Sequence, residues 1–190
     1  MIQTTSQIEH RDRLIAIIKN RSFQVGQEMK LASGRTSSFY FNMKPTMLDP
    51  EGSYLIGRLM LDAISGKQID MIGGLEMGAV PLATAVATVS HTLGQPVPAF
   101  FVRKTAKEHG TQSLIEGLPN GQTIAGKRVA VVEDVTTTGG SAIKAVQQIK
   151  AAGAEVACVI TIVDRLEGAK DAFAAAGLPF SAILSTDDFR

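Results

Sequence analysis

The sequence predicts an α/β fold in which helices flank a central parallel sheet. Strand-like and helix-like segments alternate from residue 69 to residue 184, which is typical of parallel strands joined by right-handed crossovers. Two strand segments, RVAVVE and VACVITIV, are almost continuously apolar, which indicates strands covered by helices on both faces. The predicted strands are residues 69–73, 97–102, 128–133, 156–163 and 180–184, and the predicted helices between them are residues 80–91, 140–152 and 169–176.

The N-terminal part does not follow this alternation. Residues 10–20 carry apolar side chains at helical spacing, which predicts a helix. Residues 25–43 are β-like, with a Ser-Gly-Arg turn signal and three successive aromatic residues. We expect them to form a small β flap, roughly residues 22–45, over one end of the sheet. Asp49 and Pro50 are typical of the N-cap and first position of a further helix.

Length and composition narrow the classes of function. The 190 residues suit a single domain, residues 1–190, and a net charge of +1 gives no general attraction to nucleic acid or an acidic membrane surface. The polar N-terminus lacks the apolar stretch of a secretory signal, and no segment approaches the ~20 apolar residues that span a bilayer. We therefore expect a cytoplasmic protein without nucleic-acid or membrane partners. The single cysteine, Cys158, lies in an apolar run and is predicted to be a buried thiol.

The segment VAVVEDVTTTGGSA, residues 129–142, has the composition of a phosphate site. A buried strand ends in the adjacent acids Glu133 and Asp134, and three threonines, two glycines and a helix follow. Ligands of open α/β sheets bind outside the carboxyl ends of the strands. The threonine–glycine turn can direct several backbone N–H groups at one anion, and the next helix adds the positive end of its dipole.

The two acids beside this turn need a ligand other than phosphate, because a carboxylate next to a phosphate is unfavourable. Ribose hydroxyls or a Mg²⁺ ion would satisfy them, so a sugar phosphate explains the acids and the turn together. The alternative is a capped turn with solvated acids. A second string, GQTIAGK at residues 121–127, fits only the first part of a P-loop, because Arg128 replaces the required Ser or Thr and a strand follows.

A cationic segment, RKTAKEHG, follows the strand predicted at residues 97–102. Its four potential cations are Arg103, Lys104, Lys107 and His109. Cations brought onto a departing pyrophosphate would stabilise its developing charge, and the polar residues and glycines up to Gly117 permit such a loop to open. The alternative is a solvated surface loop. Residues 73–78, GGLEMG, form either a second backbone cradle or a tight strand–helix turn.

The string VVEDVTTTGGS, residues 131–141, resembles the signature by which type I phosphoribosyltransferases bind phosphoribosyl pyrophosphate (PRPP). The resemblance implies the type I phosphoribosyltransferase fold, with Glu133 and Asp134 on the ribose hydroxyls and residues 136–141 around the 5-phosphate. The implied PRPP-binding residues are Glu133, Asp134, Val135, Thr136, Thr137, Thr138, Gly139, Gly140, Ser141, Arg103, Lys104, Lys107 and His109.

Three further strings narrow the resemblance to the orotate phosphoribosyltransferase family. They are LASGRTSSFYFN, RKTAKEHG with SLIEG, and VDRLEGAKDAFAAAGLPFSAILSTDDF. The resemblance implies transfer of the phosphoribosyl group from PRPP to orotate, giving orotidine 5′-phosphate and pyrophosphate in de novo pyrimidine (UMP) biosynthesis. It also implies a homodimer with shared active sites, and Mg²⁺ held mainly by pyrophosphate and water near Glu133 and Asp134. Residues 103–117 then form a mobile catalytic loop, whose implied catalytic residues are Lys107, Lys104, His109 and Arg103.

The resemblance also implies residues that contact the base. They are Thr137, Arg165, Tyr40 and Phe41. An arginine fork suits the orotate carboxylate, and the alternative for Arg165 is a surface ion pair with Glu167 or Asp164. Since adjacent strand residues face opposite ways, we expect only one of Tyr40 and Phe41 to reach the base ring.

The sequence departs from some members of the family at two positions. Ala32 and Gly78 stand where those members have lysines that touch PRPP, and Lys44 is a candidate substitute. Two other functions compete with this interpretation. A purine phosphoribosyltransferase has a substrate without the carboxylate that Arg165 suits, and a PRPP-sensing regulator that binds nucleic acid needs a basic face.

Overall fold

The computed structural model describes residues 4–30, 36–105 and 114–190. The helices are α1 (Thr5–Arg21), α2 (Lys44–Met47), α3 (Pro50–Ile64), α4 (Ala79–Thr92), α5 (Gly140–Ala151) and α6 (Ala169–Ala175), and a 3₁₀ turn follows at Thr186–Phe189. The strands are β1 (Phe23–Lys30), β2 (Thr36–Phe41), β3 (Met71–Gly73), β4 (Phe101–Val102), β5 (Ile115–Glu116), β6 (Arg128–Thr136), β7 (Glu155–Asp164) and β8 (Phe180–Ser185). The predicted alternation of strands and helices is confirmed.

The central sheet is parallel, as predicted, and its strand order is β3–β6–β7–β8. Residues 97–102 run beside the outer edge of β3, where Phe100 N donates to Ile72 O and Ile72 N donates to Pro98 O, each at 3.0 Å. The chain order therefore reverses between β3 and β6. Open α/β sheets bind their ligands at such a reversal, outside the carboxyl ends of the strands.

Two strands differ from their predicted extent by more than two residues. Of the strand predicted at residues 97–102, only Phe101 and Val102 are regular, and Pro98 within it has no N–H to donate to a ladder. β6 runs beyond its predicted end to Thr136, because its residues pair with β7 as far as Thr136 opposite Asp164. The acid pair therefore lies on the strand itself and is held by the sheet.

Side-chain caps fix the beginnings of two helices. α1 begins before the predicted residue 10, because Thr4 and Gln7 form a capping box in which Thr4 Oγ1 accepts from Gln7 N at 3.3 Å. The predicted cap of α3 is confirmed. Asp49 Oδ1 accepts from Gly52 N at 2.9 Å, and Pro50 is the first helical residue.

Helices cover both faces of the sheet, which explains why the central strands are apolar throughout. Ala130 and Val132 of β6 pack on the side of α1, α3 and α4, whereas Val129 and Val131 pack on the side of α5 and α6. Cys158 lies in the first of these clusters and is buried, and burial raises the pKa of its thiol, as expected for a core cysteine. None of the helices in the described ranges is long and apolar enough to cross a bilayer.

The predicted N-terminal flap is an antiparallel hairpin of β1 and β2, with Phe23 opposite Phe41. The rings of Phe23, Phe41 and Phe189 pack together, with centroids 4.9 Å apart for the first two and 5.0 Å apart for the last two. This cluster fastens the flap to the C-terminal 3₁₀ turn. The predicted Ser-Gly-Arg turn and Ala32 lie outside the described residues.

Candidate active site

The candidate site lies where the chain order of the sheet reverses. Two connections meet there, the turn from β3 to α4 (residues 74–78) and the turn from β6 to α5 (residues 137–139). Because both follow the carboxyl ends of adjacent parallel strands, they open at the same edge of the sheet. The acid pair predicted from sequence is therefore at the position where such folds bind ligands.

The β6–α5 turn forms a small cradle at the start of a helix. Gly139 is the N-cap residue of α5 with φ of 83°, and no side chain caps the first N–H groups of this helix. A Cβ at residue 139 would lie 2.9 Å from Phe173 Cζ, so both backbone shape and space require glycine there. The cradle encloses about 230 Å³ and is lined by Glu133, Val135, Thr136, Thr137, Thr138, Gly139, Gly140, Ser141, Ala142 and Lys144.

Two polar atoms beside this cradle are buried without a hydrogen-bond partner among the described residues. They are Glu133 Oε2 and Thr136 Oγ1. Burial, and after it the adjacent Asp134, raise the pKa of Glu133 to about 8. Asp134 Oδ1 accepts from Val135 N at 2.9 Å, which holds this carboxylate at the end of the strand. Buried polar atoms without partners are costly, so the site is arranged for a ligand that hydrogen-bonds to them.

A larger cavity of about 940 Å³ adjoins the acids on the side of α3 and α4. Its polar lining residues include Glu133, Asp134, Ser141, Lys104, Glu76 and Lys44. The candidate substitute Lys44 therefore borders the same space as the acid pair. A Cβ at Gly78 would lie 2.9 Å from Asp134 Oδ1, so a lysine at residue 78 requires the Asp134 carboxylate to move.

Two glycines of the β3–α4 turn are explained by packing. A Cβ at Gly73 would lie 2.5 Å from Phe100 O, and one at Gly74 would lie 2.3 Å from Val132 O. These contacts are with neighbouring strand backbones that cannot withdraw. They account for both glycines as features of a tight strand–helix turn, which was one of the two interpretations of residues 73–78.

The cationic segment is anchored at its first two residues. Arg103 N donates to Leu114 O at 2.8 Å, next to the antiparallel pair of β4 and β5. Lys104 N donates to Glu76 Oε1 at 2.9 Å, so the start of the segment is also attached to the β3–α4 turn. Lys107 and His109 lie outside the described residues. The P-loop interpretation of residues 121–127 was rejected from sequence, and the structure agrees, because that string leads into β6.

Arg165 follows β7 and is nearly fully buried, with its side chain 2% exposed. Its Nε donates to Glu167 Oε1 at 2.8 Å, and its Cζ lies 4.5 Å from the centroid of the Phe39 ring. Glu167 was one of the two predicted partners in a surface ion pair. The pair with Glu167 forms, but it is not the surface pair of that alternative, because Arg165 is buried and Phe39 of the flap packs against the guanidinium.

The two aromatic residues predicted at the base differ in exposure. Tyr40 is 39% exposed, whereas Phe41 is 4% exposed and packs against Phe23 and Phe189. Phe41 therefore belongs to the core, which favours Tyr40 over Phe41 for the predicted contact with the base. Adjacent strand residues face opposite ways, and of these two only Tyr40 is exposed.

Two residues that border the site were not among the predicted site residues. Phe39 stacks on Arg165, and Lys144 of α5 lines the phosphate cradle. Lys144 lies four residues after Gly140, the first residue of α5, and so on the same face of the helix. This spacing could have identified Lys144 from the sequence. For Phe39 the sequence held no such signal, since its contact joins the flap to a strand more than a hundred residues away.

A reversed parallel sheet, an acid pair on a strand and a helix that starts at a glycine without a side-chain cap together fit a phosphoribosyltransferase site. The sequence matches the phosphoribosyl transferase domain family over residues 48–176, a range that contains all three features. The chain therefore belongs to the phosphoribosyltransferase family.

Curated relatives place it within that family. The chain is 59% identical over 179 residues to an orotate phosphoribosyltransferase of Bradyrhizobium diazoefficiens, covering 94% of this chain and 95% of the relative. It is 45% identical over 180 residues to an orotate phosphoribosyltransferase of Sorangium cellulosum, covering 94% and 92%. The structure of Mycobacterium tuberculosis orotate phosphoribosyltransferase in complex with PRPP has a TM-score of 0.77 and 38% identity, covering 94% of this chain and 98% of that chain. The chain is thus a member of the orotate phosphoribosyltransferases.

Proposed function

We propose that this chain transfers the 5-phosphoribosyl group of PRPP to orotate, giving orotidine 5′-phosphate and pyrophosphate. In the reaction the bond between ribose C1 and the pyrophosphate oxygen breaks, and a bond from C1 to a ring nitrogen of the base forms. The observation that carries the proposal is the pair of buried, unpartnered oxygens, Glu133 Oε2 and Thr136 Oγ1, beside an uncapped helix start. A ribose hydroxyl and a phosphate group are the partners that such atoms lack.

The two halves of PRPP fit the two sides of the acid pair. On one side, the cradle at residues 136–141 offers backbone N–H groups and the positive end of the α5 dipole to the 5-phosphate. On the strand end, Glu133 and Asp134 accept from the ribose hydroxyls. On the other side, the larger cavity with Lys104 receives the pyrophosphate. This arrangement orients C1 between the base and the leaving group.

The pyrophosphate needs positive charge as it departs. Arg103 and Lys104 lie at the start of the loop, where hydrogen bonds hold the backbone in place. The resemblance to the family adds Lys107 and His109 to the cations that would act on the pyrophosphate. A bound Mg²⁺ would neutralise pyrophosphate oxygens. The donors suit this ion, because Mg²⁺ is commonly held by one or two carboxylates, water and substrate phosphates, and two adjacent acids border the cavity.

The base lies between the sheet and the flap in this proposal. Arg165 is positively charged and held against Phe39, which suits recognition of the orotate carboxylate. Thr137 lines the phosphate cradle and Tyr40 is the exposed aromatic residue of β2, so both remain proposed base contacts. Phe41 is left out because its ring is in the core.

We further propose that two copies form a homodimer across the large cavity. Leu48 and Met77 are 74% and 65% exposed, and Tyr54 is about half exposed. All three line the large cavity, together with apolar residues of α3 and α4. An exposed apolar surface next to a site marks an interface. A second copy fits it, because the family resemblance implies active sites shared between subunits. A cytoplasmic location and a single domain remain predictions.

A base-selection assay tests the proposed activity. Orotate absorbance is followed with PRPP and Mg²⁺, and adenine, guanine and uracil are offered as competing bases. Consumption of orotate with release of pyrophosphate supports the proposal. Turnover of a purine in preference to orotate would favour the purine enzyme. PRPP binding without turnover of any base would favour the PRPP-sensing regulator, which the net charge of +1 does not support as a nucleic-acid binder.

A further inference from the structure

The turn between β7 and α6 has an unusual backbone. Leu166 has φ of 59°, in the left-handed region that residues with a Cβ avoid. Its side chain is 55% exposed, so packing of Leu166 does not explain this shape. Asp164 Oδ1 accepts from Leu166 N at 2.9 Å and holds the turn in place. Strained backbone that the surrounding structure maintains is concentrated at functional sites.

The turn brings Glu167 back against Arg165. Arg165 Nε donates to Glu167 Oε1 at 2.8 Å, and the two side chains are 2% and 18% exposed. Phe39 lies against the guanidinium plane with its centroid 4.5 Å from Cζ. The ring therefore fixes the plane of the guanidinium, and the carboxylate fixes its rotation within that plane.

This ion pair is also tied to the phosphate cradle. Arg165 N donates to Thr136 O at 2.9 Å, so the backbone of the arginine is attached to the strand end where the cradle begins. The guanidinium is thus set at a defined place relative to bound ribose phosphate. Phe39 and Glu167, in contrast, contact the guanidinium itself.

Glu167 keeps one buried oxygen, Oε2, without a hydrogen-bond partner among the described residues. A buried acceptor of this kind opposes stability. A strained turn and an unpartnered oxygen together indicate that the geometry at Arg165 serves something other than stability.

We propose that Glu167 is a positioning residue for base recognition, which holds the Arg165 guanidinium in the orientation that receives the orotate carboxylate. The proposal rests on the proposed function and extends it to a residue that does not itself need to touch the base. The competing role is neutralisation of a buried charge, in which only the negative charge of Glu167 matters. Gln separates the two roles, since its amide oxygen accepts from Arg165 Nε and carries no charge.

Steady-state kinetics of Glu167→Ala, Glu167→Gln and Glu167→Asp would test the proposal. For Glu167→Ala we expect KM for orotate to rise roughly tenfold or more, from loss of one charge-assisted hydrogen bond, with KM for PRPP changed less than about twofold. Glu167→Gln should restore KM for orotate to within about threefold of wild type. Glu167→Asp keeps the charge on a shorter side chain and should resemble Glu167→Ala. Glu167→Asp replaces Glu167→Ala in the test if the Ala variant does not fold.

A matched control comes from the same turn. Leu166→Gly accepts the left-handed φ without strain and leaves the ion pair intact, so it should leave both KM values unchanged. The proposal is overturned if Glu167→Ala or Glu167→Asp leaves KM for orotate unchanged, if KM for both substrates rises equally, or if Gln is as impaired as Ala. Failure of wild-type protein to use orotate at all would instead overturn the proposed function.

Discussion

Glu133 is a buried acid whose protonation is coupled to folding. Its pKa is raised from an ordinary 4.5 to about 8, chiefly by burial and then by Asp134. Between these two values the folded chain binds a proton that the unfolded chain does not. The corresponding stability is fully present below about pH 4.5 and is lost as pH rises through about 8.

The size of this effect follows from the shift. Integrated from pH 5 to pH 8, proton linkage at Glu133 amounts to about 3 kcal/mol of unfolding free energy. Glu133→Gln replaces the protonated acid with a neutral amide of the same shape and does not titrate. The free energy of unfolding of wild type minus that of the variant should therefore fall by about 3 kcal/mol between pH 5 and pH 8.

Urea unfolding followed by circular dichroism at several pH values measures this difference, because a change in midpoint at constant slope reports stability. The exposed acid Glu9 of α1 provides the control Glu9→Gln, which makes the same chemical change at the surface. A difference between wild type and Glu133→Gln that stays flat from pH 5 to pH 8 would refute the argument. The variant should also lose part of the stabilisation that PRPP gives to wild type, because an amide cannot give up a proton to become a charged acceptor for the ribose hydroxyls.

Three further perturbations address separate parts of the site. Arg165→Ala should raise KM for orotate far more than KM for PRPP in the same assay, and equal effects on both would show that Arg165 acts on structure alone. Gly139→Ala should lower the free energy of unfolding by about 1–3 kcal/mol, from the left-handed φ and the 2.9 Å approach to Phe173, and should weaken PRPP binding by calorimetry. Removal of divalent ions with excess EDTA should abolish turnover, and added Mg²⁺ should restore it; full activity in EDTA would contradict a role for the ion.

The sheet and the phosphate cradle were predictable because their signals are local. Each apolar strand, each amphipathic helix and the string from Glu133 to Ser141 lies within one short stretch of sequence. The extent of β6 was not predictable in the same way. Its last residues are strand because β7 lies beside them, and a partner strand is not visible in the local pattern.

The surroundings of the proposed base contacts could be predicted only in part, because they depend on contacts between distant residues. Residue Arg165 was identified from resemblance, but its stacking on Phe39 joins two segments through the tertiary fold. Phe39, Tyr40 and Phe41 are equally good strand residues in sequence. Which of them is core, exposed or stacked is decided by the packing of the flap on the C-terminal 3₁₀ turn.

The catalytic loop gives the last prediction. If Lys107 acts mainly on charge that develops as pyrophosphate leaves, Lys107→Ala should lower kcat roughly 10²–10³-fold with little change in PRPP binding, since an interaction made only in the transition state appears in turnover.

If the loop also serves the partner's site, an inactive Lys107→Ala chain mixed with an inactive Asp134→Asn chain should regain activity. Some heterodimer sites then combine an intact loop with an intact acid pair. Native mass spectrometry must show that heterodimers form, and heterodimers without activity would mean that each loop serves its own subunit.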